Sequence, residues 1–122
     1  MKGGNNDLWT QVNNSSVYIH NNNGVLSMKF DNPYSDMYQS KFNSNNLEES
    51  YLGYTKYIIN MLNKLKFNTI LFIGLGGGHL PRFTKYKYPN TKVDIVEIDK
   101  NVIDGAILLG LNKNYFNIYN DD

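Results

Sequence analysis

Apolar and polar positions divide the chain into three stretches, and the first of them, positions 1–46, is mostly polar. Two short runs rich in β-forming residues stand within it, Val17-Tyr18-Ile19 and Val25–Phe30, separated by Asn22-Asn23-Gly24. A turn of this composition between two such runs predicts a β-hairpin. Because a lone hairpin is marginal in water, we expect its strands to pack on the rest of the chain.

The second stretch has apolar residues at helical spacing, which predicts an amphipathic helix over about 46–66. Asn46, with Glu49 three residues later, resembles a capping box at its start. We expect one apolar stripe to pack into the core, with the tyrosines at 51, 54 and 57 packing rather than stacking on a ligand. The stripe consists of Leu47, Tyr51, Tyr54, Ile58, Met61, Leu62 and Leu65.

The third stretch alternates strands and helices. The apolar run Thr69–Ile73 has no polar alternation, which predicts a strand covered on both faces. Further strands are predicted at 93–98 and 115–119, with a helix at 79–88 and another that Asp99 caps. This βαβαβ order predicts an α/β fold with a parallel sheet.

The glycine-rich turn after the first of these strands is the most informative segment. Gly74-Leu75-Gly76-Gly77-Gly78 leaves the backbone bare between a strand and a helix, so a nucleoside can lie directly against it. Glu97, at the end of the next strand, can accept hydrogen bonds from a ribose diol. A dinucleotide fingerprint would need glycine at 79, where the chain has histidine, whereas the spacing present is typical of S-adenosylmethionine folds. A tight turn without ligand and a solvated acid at 97 remain the alternatives.

Composition and charge narrow the chemistry further. Twelve Lys and Arg against eleven Asp and Glu give a net charge of +1, so no global field favours nucleic acid or a membrane surface. The chain has no cysteine, and its two histidines, His20 and His79, lie far apart, so no metal site is expected. Without a leader-like or bilayer-length apolar run, we expect a cytoplasmic protein.

Several segments together resemble the spermidine synthases, the polyamine aminopropyltransferases. The resemblance is most specific over 70–106 and is closer to short spermidine-synthase-like relatives that read G-L-G-G-G-x-L. It rests on Gln39-Ser40, on Tyr54, on the run 72–80 with its glycines, on Arg82, and on Val96-Glu97-Ile98-Asp99-Lys100-Asn101-Val102-Ile103.

The resemblance implies a fold, a cofactor and site residues. The fold would be an N-terminal β-hairpin segment (1–46) and then the N-terminal portion of a Rossmann-like, class I methyltransferase-type domain (47–122). The cofactor would be decarboxylated S-adenosylmethionine or S-adenosylmethionine. Glu97 would hold its ribose, Asp121 would lie near the adenine amino group, and Gln39 would lie near the active site. The backbone of the turn glycines Gly74, Gly76, Gly77 and Gly78 would pass beneath the cofactor.

Two departures from the family affect the expected activity. Gly77 stands where aminopropyltransferases have an aspartate that binds the aminopropyl ammonium, and this loss removes a charge-assisted hydrogen bond. The family's catalytic aspartate follows a fourth strand, and the predicted elements end at the third. We therefore assign no catalytic residue, and the chain is expected to be a fragment of a longer transferase or a remnant.

Three functional hypotheses follow. The first is a spermidine-synthase-like transferase of polyamine biosynthesis, with a nucleoside cofactor and a polyamine as partners. The second is a noncatalytic remnant or binding module of the same fold, which would self-associate through an exposed sheet edge. The third is an S-adenosylmethionine-dependent methyltransferase, which Phe72 disfavours because such enzymes usually carry an acid two positions before the first glycine.

Overall fold

The computed structural model describes residues 8–121, which form two β-sheets and three α-helices around a shared core. The elements in chain order are β1 (Thr10–Gln11), β2 (Val17–Asn22), β3 (Val25–Phe30), β4 (Ser40–Asn43), α1 (Gly53–Leu62), β5 (Thr69–Ile73), α2 (His79–Lys87), β6 (Lys92–Val96), α3 (Lys100–Leu108) and β7 (Asn117–Tyr119).

The N-terminal sheet is antiparallel, with strand order β1-β2-β3-β4. It confirms the predicted hairpin, because β2 pairs with β3 around Asn23 and Gly24, which both have positive φ (52° and 90°). Two positive φ values are what the tight hairpin turn requires. Strands β1 and β4 were not predicted, because they have only two and four residues and Phe42 is the one apolar residue in them.

The second sheet is parallel, with order β5-β6-β7, and it confirms the predicted α/β fold with a partial Rossmann-like sheet. The strand predicted at 69–73 has those bounds in the structure. Strand β7 begins only at Asn117, because a 3-10 turn at Lys113–Tyr115 precedes it. The side chain of Asn112 fixes that turn by accepting a hydrogen bond from the backbone N–H of Asn114 (3.1 Å).

One face of the parallel sheet is uncovered within residues 8–121, so the prediction that β5 is covered on both faces is wrong. Leu71 is 56% exposed and Ile73 is 84% exposed. Ile70 and Phe72, on the other face, pack against the core with β6. An apolar run therefore identified the strand, but it did not report whether both faces have neighbours.

Helix α1 is shorter than predicted and presents a different face. It begins at Gly53 rather than near Asn46, because Asn46 forms a β-bridge with Asn43 and its carbonyl accepts from the N–H of Glu49 in a turn. The predicted stripe is correct for Leu62, which is buried, and for Leu47 and Ile58, which pack partly buried against the core, and it is wrong for the tyrosines. Thr55, Ile59 and Leu62 are buried, and the tyrosines at 51, 54 and 57 are 43%, 56% and 68% exposed.

The two sheets meet through α3 and the glycine turn. A Cβ on Gly105 of α3 would lie 3.0 Å from Met28 Cε and 3.3 Å from Ile19 Cγ2, so glycine there permits close packing of the helix on the N-terminal sheet. Asp99 caps α3 as predicted, accepting from the N–H of Asn101 (2.8 Å). The proposed boundary at residue 46 stays a prediction, since residues from both sides share one core.

Candidate functional site

A cavity of about 440 Å³ opens at the carboxyl end of β5, between the glycine turn, α1 and β4. This volume lies within the usual range of small-molecule sites. The carboxyl edge of a parallel sheet is also where open α/β folds bind ligands. The lining residues that bear on its chemistry are Gln39, Ser40, Lys41, Tyr54, Gly74, Gly76, His79 and Glu97.

Two glycines of the turn line this cavity. Gly74 has a φ of +92°, and a Cβ built on it would meet no atom within 4 Å. Gly76 has a φ of +57°, and its Cβ would lie 3.5 Å from Ser40 Cβ, an ordinary contact. Both positions therefore present bare backbone to the cavity in a conformation that side chains rarely adopt.

The other two glycines are buried and do not line it. A Cβ on Gly77 would lie 2.9 Å from Ser40 Oγ and 3.2 Å from Phe42 Cε1, so β4 packs directly on this part of the turn. Gly78 has a φ of +89°, precedes α2, and would place a Cβ 3.2 Å from Leu111. Packing accounts for glycine at both positions, and their contact with a cofactor stays a prediction.

Glu97 is buried, with 8% of its surface exposed, and its carboxylate faces the glycine turn. Its Oε1 accepts from the N–H of Leu75 (2.8 Å) and its Oε2 accepts from the N–H of Asp99 (3.0 Å). The side chain therefore joins the turn to the segment after β6, and its burial rules out a solvated acid. Each oxygen keeps a second lone pair that a ligand hydroxyl can use.

The remaining predicted site residues lie in different positions relative to the cavity. Gln39 lines it, and its backbone carbonyl accepts from the Tyr54 hydroxyl (3.2 Å). Asp121 is exposed, and it is not among the residues that line the cavity. The neighbouring Asn120 donates to the carbonyls of Glu97 (2.9 Å) and Ile98 (3.0 Å), which holds this segment against the end of β6. The roles of Gln39 and Asp121 toward a ligand stay predictions.

His79, to which the sequence analysis gave no ligand role, is buried in the wall of the cavity. It stacks on Phe42 (4.9 Å between centroids), and its Nε2 lies 2.7 Å from the Leu47 carbonyl. Since a carbonyl can only accept, Nε2 donates, and Nδ1 keeps a free lone pair with no partner within residues 8–121. Burial lowers the pKa of His79, and nearby Arg82 lowers it further. The sequence signal that could have placed His79 at the cavity is its position directly after the glycine turn.

Arg82 connects α2 to the end of α3. Its Nη2 donates to the carbonyl of Leu109 (2.8 Å) and, more weakly, to that of Ala106 (3.4 Å). A cation at the carboxyl end of a helix is favoured by the helix dipole. Burial lowers the pKa of the Arg82 guanidinium. The role of Arg82 is structural, because its hydrogen bonds join α2 to the end of α3.

The described residues contain no group of three or more His, Asp or Glu side chains placed to hold a metal ion. No helix between residues 8 and 121 has the length and apolar character needed to cross a membrane.

Comparison with solved structures identifies the architecture. The chain superposes on a probable spermidine synthase from Corynebacterium glutamicum ATCC 13032 with a TM-score of 0.68, at 12% sequence identity, over 93% of this chain and 44% of that one. This chain has the fold of part of a spermidine synthase. The match confirms the predicted resemblance at the level of the fold, and the chain spans less than half of that protein's length.

Sequence comparison finds methyltransferases. The chain is 41% identical over 54 residues to the eEF1A lysine and N-terminal methyltransferase of Xenopus laevis, and 45% identical over 38 residues to that of Mus musculus. These matches cover 44% and 31% of this chain, but only 7% and 5% of the two methyltransferases. No family model matches the sequence.

Proposed function

We propose that the cavity at the end of β5 holds the adenosyl part of a sulfonium cofactor, as the cofactor-binding portion of a transferase. The observation that carries this proposal is the pairing of bare backbone at Gly74 and Gly76 with the buried carboxylate of Glu97 on one cavity. The spermidine synthase fold and the methyltransferase matches support it, since both groups of proteins transfer a substituent to an acceptor.

The residues present fit such a group. Gly74 and Gly76 leave space where any side chain would project, and Glu97 offers lone pairs for the sugar hydroxyls while its other lone pairs hold the two loops. When bound, the cofactor supplies an electrophilic carbon attached to positively charged sulfur. The chain's own contribution is to bind and orient the nucleoside against the sheet edge.

The structure of the turn favours S-adenosylmethionine over its decarboxylated form. A side chain at position 77 would meet Ser40 and Phe42, so the turn has no room for the aspartate with which aminopropyltransferases bind the aminopropyl ammonium. We therefore propose methyl transfer first, although Phe72 stands where methyltransferases usually carry an acid, and aminopropyl transfer to a polyamine second. A noncatalytic binding module is the third reading.

A thermal-shift series separates these proposals. S-adenosylmethionine, decarboxylated S-adenosylmethionine, methylthioadenosine and NAD are each titrated against the protein. A ligand at 100 times its dissociation constant adds about 2.7 kcal/mol to stability, which raises the melting temperature. Methyl transfer predicts a larger rise with S-adenosylmethionine than with the decarboxylated form, and the reverse order supports aminopropyl transfer. The absence of a rise with all adenosyl ligands would contradict the proposal.

A pair of matched variants places the binding in this cavity. Gly74→Leu puts a side chain on the cavity lining, and we expect it to abolish the shift. Gly110→Leu is the control, because Gly110 has a similar φ (+97°), is exposed and lies outside this cavity. Both variants carry a backbone strain of roughly 1–2 kcal/mol. Binding that survives Gly74→Leu would place the ligand elsewhere.

A further inference from the structure

A second cavity, of about 470 Å³, lies on the outer face of the antiparallel sheet. Side chains alternate along each strand, so His20 and Ser27 face outward where their neighbours Ile19 and Met28 face the core. The cavity walls are rich in aromatic rings, contributed by Trp9, Tyr34, Tyr38 and Tyr51. Neither the fold nor the proposed cofactor site accounts for this composition.

A buried ammonium group forms part of this cavity. Lys29 is 6% exposed, and its Nζ donates to the carbonyls of Pro33 (3.2 Å) and Ser35. The same Nζ lies 4.9 Å from the centre of the Trp9 ring and 4.4 Å from that of Tyr38. Carbonyls and rings therefore hold this charge in place, and no carboxylate between residues 8 and 121 forms a salt bridge with it.

A second ammonium group, that of Lys41, contributes to the lining of both cavities. The Nζ of Lys41 lies 4.7 Å from the Tyr38 ring centre and 5.2 Å from that of Tyr51, and Lys41 lines both cavities. Its N–H donors have no hydrogen-bond acceptor among the described residues. Asp36 also lines the second cavity, without forming a salt bridge with either lysine.

From this arrangement we infer that the second cavity binds the second substrate of the proposed transferase, and that this substrate carries an anionic group beside a planar or apolar part. The inference rests on the proposed function. Lys29 and Lys41 form no salt bridge with a carboxylate between residues 8 and 121, and their two ammonium charges favour a carboxylate or phosphate, to which Lys41 can donate charge-assisted hydrogen bonds. Aromatic walls suit a planar group. The two lysines outnumber Asp36 in the lining of this cavity, so the cavity repels a diamine, which carries two positive charges.

Trp9 provides a local reporter for the test, because it is the only tryptophan of the chain and lines this cavity. Benzoate, phenyl phosphate and benzylamine present the same ring with different charges, and each is titrated while Trp9 fluorescence is recorded. We expect saturable changes with benzoate or phenyl phosphate at concentrations at least about tenfold below those that benzylamine needs. The tighter of the two anions identifies carboxylate or phosphate as the preferred group.

Variants at Lys41 assign the effect to this residue. Lys41→Gln removes one charge-assisted hydrogen-bond donor and is expected to weaken anion binding about tenfold or more. Lys41→Arg keeps the charge and should retain binding. Lys113→Gln makes the same charge change at an exposed position outside this cavity and should leave the affinity unchanged. Circular dichroism of each variant confirms that it is folded.

The results separate this inference from the proposed function. If benzylamine binds as tightly as the anions, or if Lys41→Gln leaves anion binding unchanged, the inference is overturned even where the adenosyl ligands bind. If the anions bind in a Lys41-dependent manner while no adenosyl ligand binds, the anion site stands and the assignment of its occupant as a transferase substrate fails.

Discussion

The glycine turn has two halves, 74–76 and 77–78, and each contains two glycines for a different structural reason. Gly74 and Gly76 line the cavity, whereas Gly77 and Gly78 are buried against side chains from other elements. In the first half a side chain would occupy the cavity, and in the second it would separate packed elements. A glycine-rich motif is therefore not uniform evidence for ligand binding, and the predictions below test this division.

The largest expected effect is at Glu97, which fixes the cavity half of the turn. Glu97→Ala leaves the N–H groups of Leu75 and Asp99 without their carboxylate acceptor. Hydrogen bonds to charged groups contribute about 1.5–3 kcal/mol each, so we expect a loss of roughly 3 kcal/mol or more. Urea unfolding measures it. Glu48→Ala is the control, because its ion pair with Lys87 is exposed, and an equal loss there would refute a special role for Glu97.

The buried half of the turn should be the more sensitive to an added methyl group. Gly77→Ala places a Cβ 2.9 Å from Ser40 Oγ, and overpacking of this kind costs typically about 1–3 kcal/mol. Combining it with Ser40→Ala in a double-mutant cycle should show a coupling of about 0.5 kcal/mol or more. Strictly additive effects would show that β4 does not constrain the turn.

Gly74→Ala, in the half of the turn that lines the cavity, should reduce stability less than Gly77→Ala does, and for a different reason. Gly74→Ala meets no atom within 4 Å, so its cost is the strain of a positive φ, roughly 1–2 kcal/mol. Because Ser40 is not a neighbour of that Cβ, Ser40→Ala should leave the cost of Gly74→Ala unchanged in the same urea experiment. Coupling between these two sites would remove the distinction between the halves.

The smallest expected effect is a pH dependence that arises beside the turn. Burial lowers the pKa of His79 below its ordinary 6.5, so the folded state binds its proton less well than the unfolded state. The stability that neutral His79 provides is complete above about pH 6.5 and is lost as the pH falls toward the lowered folded-state pKa. The difference in unfolding free energy between wild type and His79→Gln, measured from pH 5 to 8, should show this slope. A difference that does not vary with pH would contradict it.

Elements specified by local chemistry were predictable from the sequence. The hairpin follows from Asn23-Gly24, strand β5 from its apolar run, and the start of α3 from the cap at Asp99. The start of α1 was not predictable in this way. It depends on a bridge between Asn43 and Asn46, which local propensity does not report.

The candidate site likewise contains features that the sequence predicts and features that depend on tertiary packing. The cavity positions of Gly74 and Glu97 follow from the order strand, turn, helix and strand, which brings both to one sheet edge. The packing roles of Gly77 and the burial of His79 could not be inferred, because they depend on where β4 docks. The aromatic cavity around Lys29 depends on a segment between β3 and β4 that has no periodic pattern.

The double use of the Glu97 carboxylate has a consequence for reading any variant at that position. Because the same two oxygens order both loops that border the cavity, a substitution there changes the shape of the cavity and also removes the carboxylate that a ligand would contact. Loss of affinity at position 97 becomes informative about sugar recognition only after the fraction of molecules still folded has been measured and divided out.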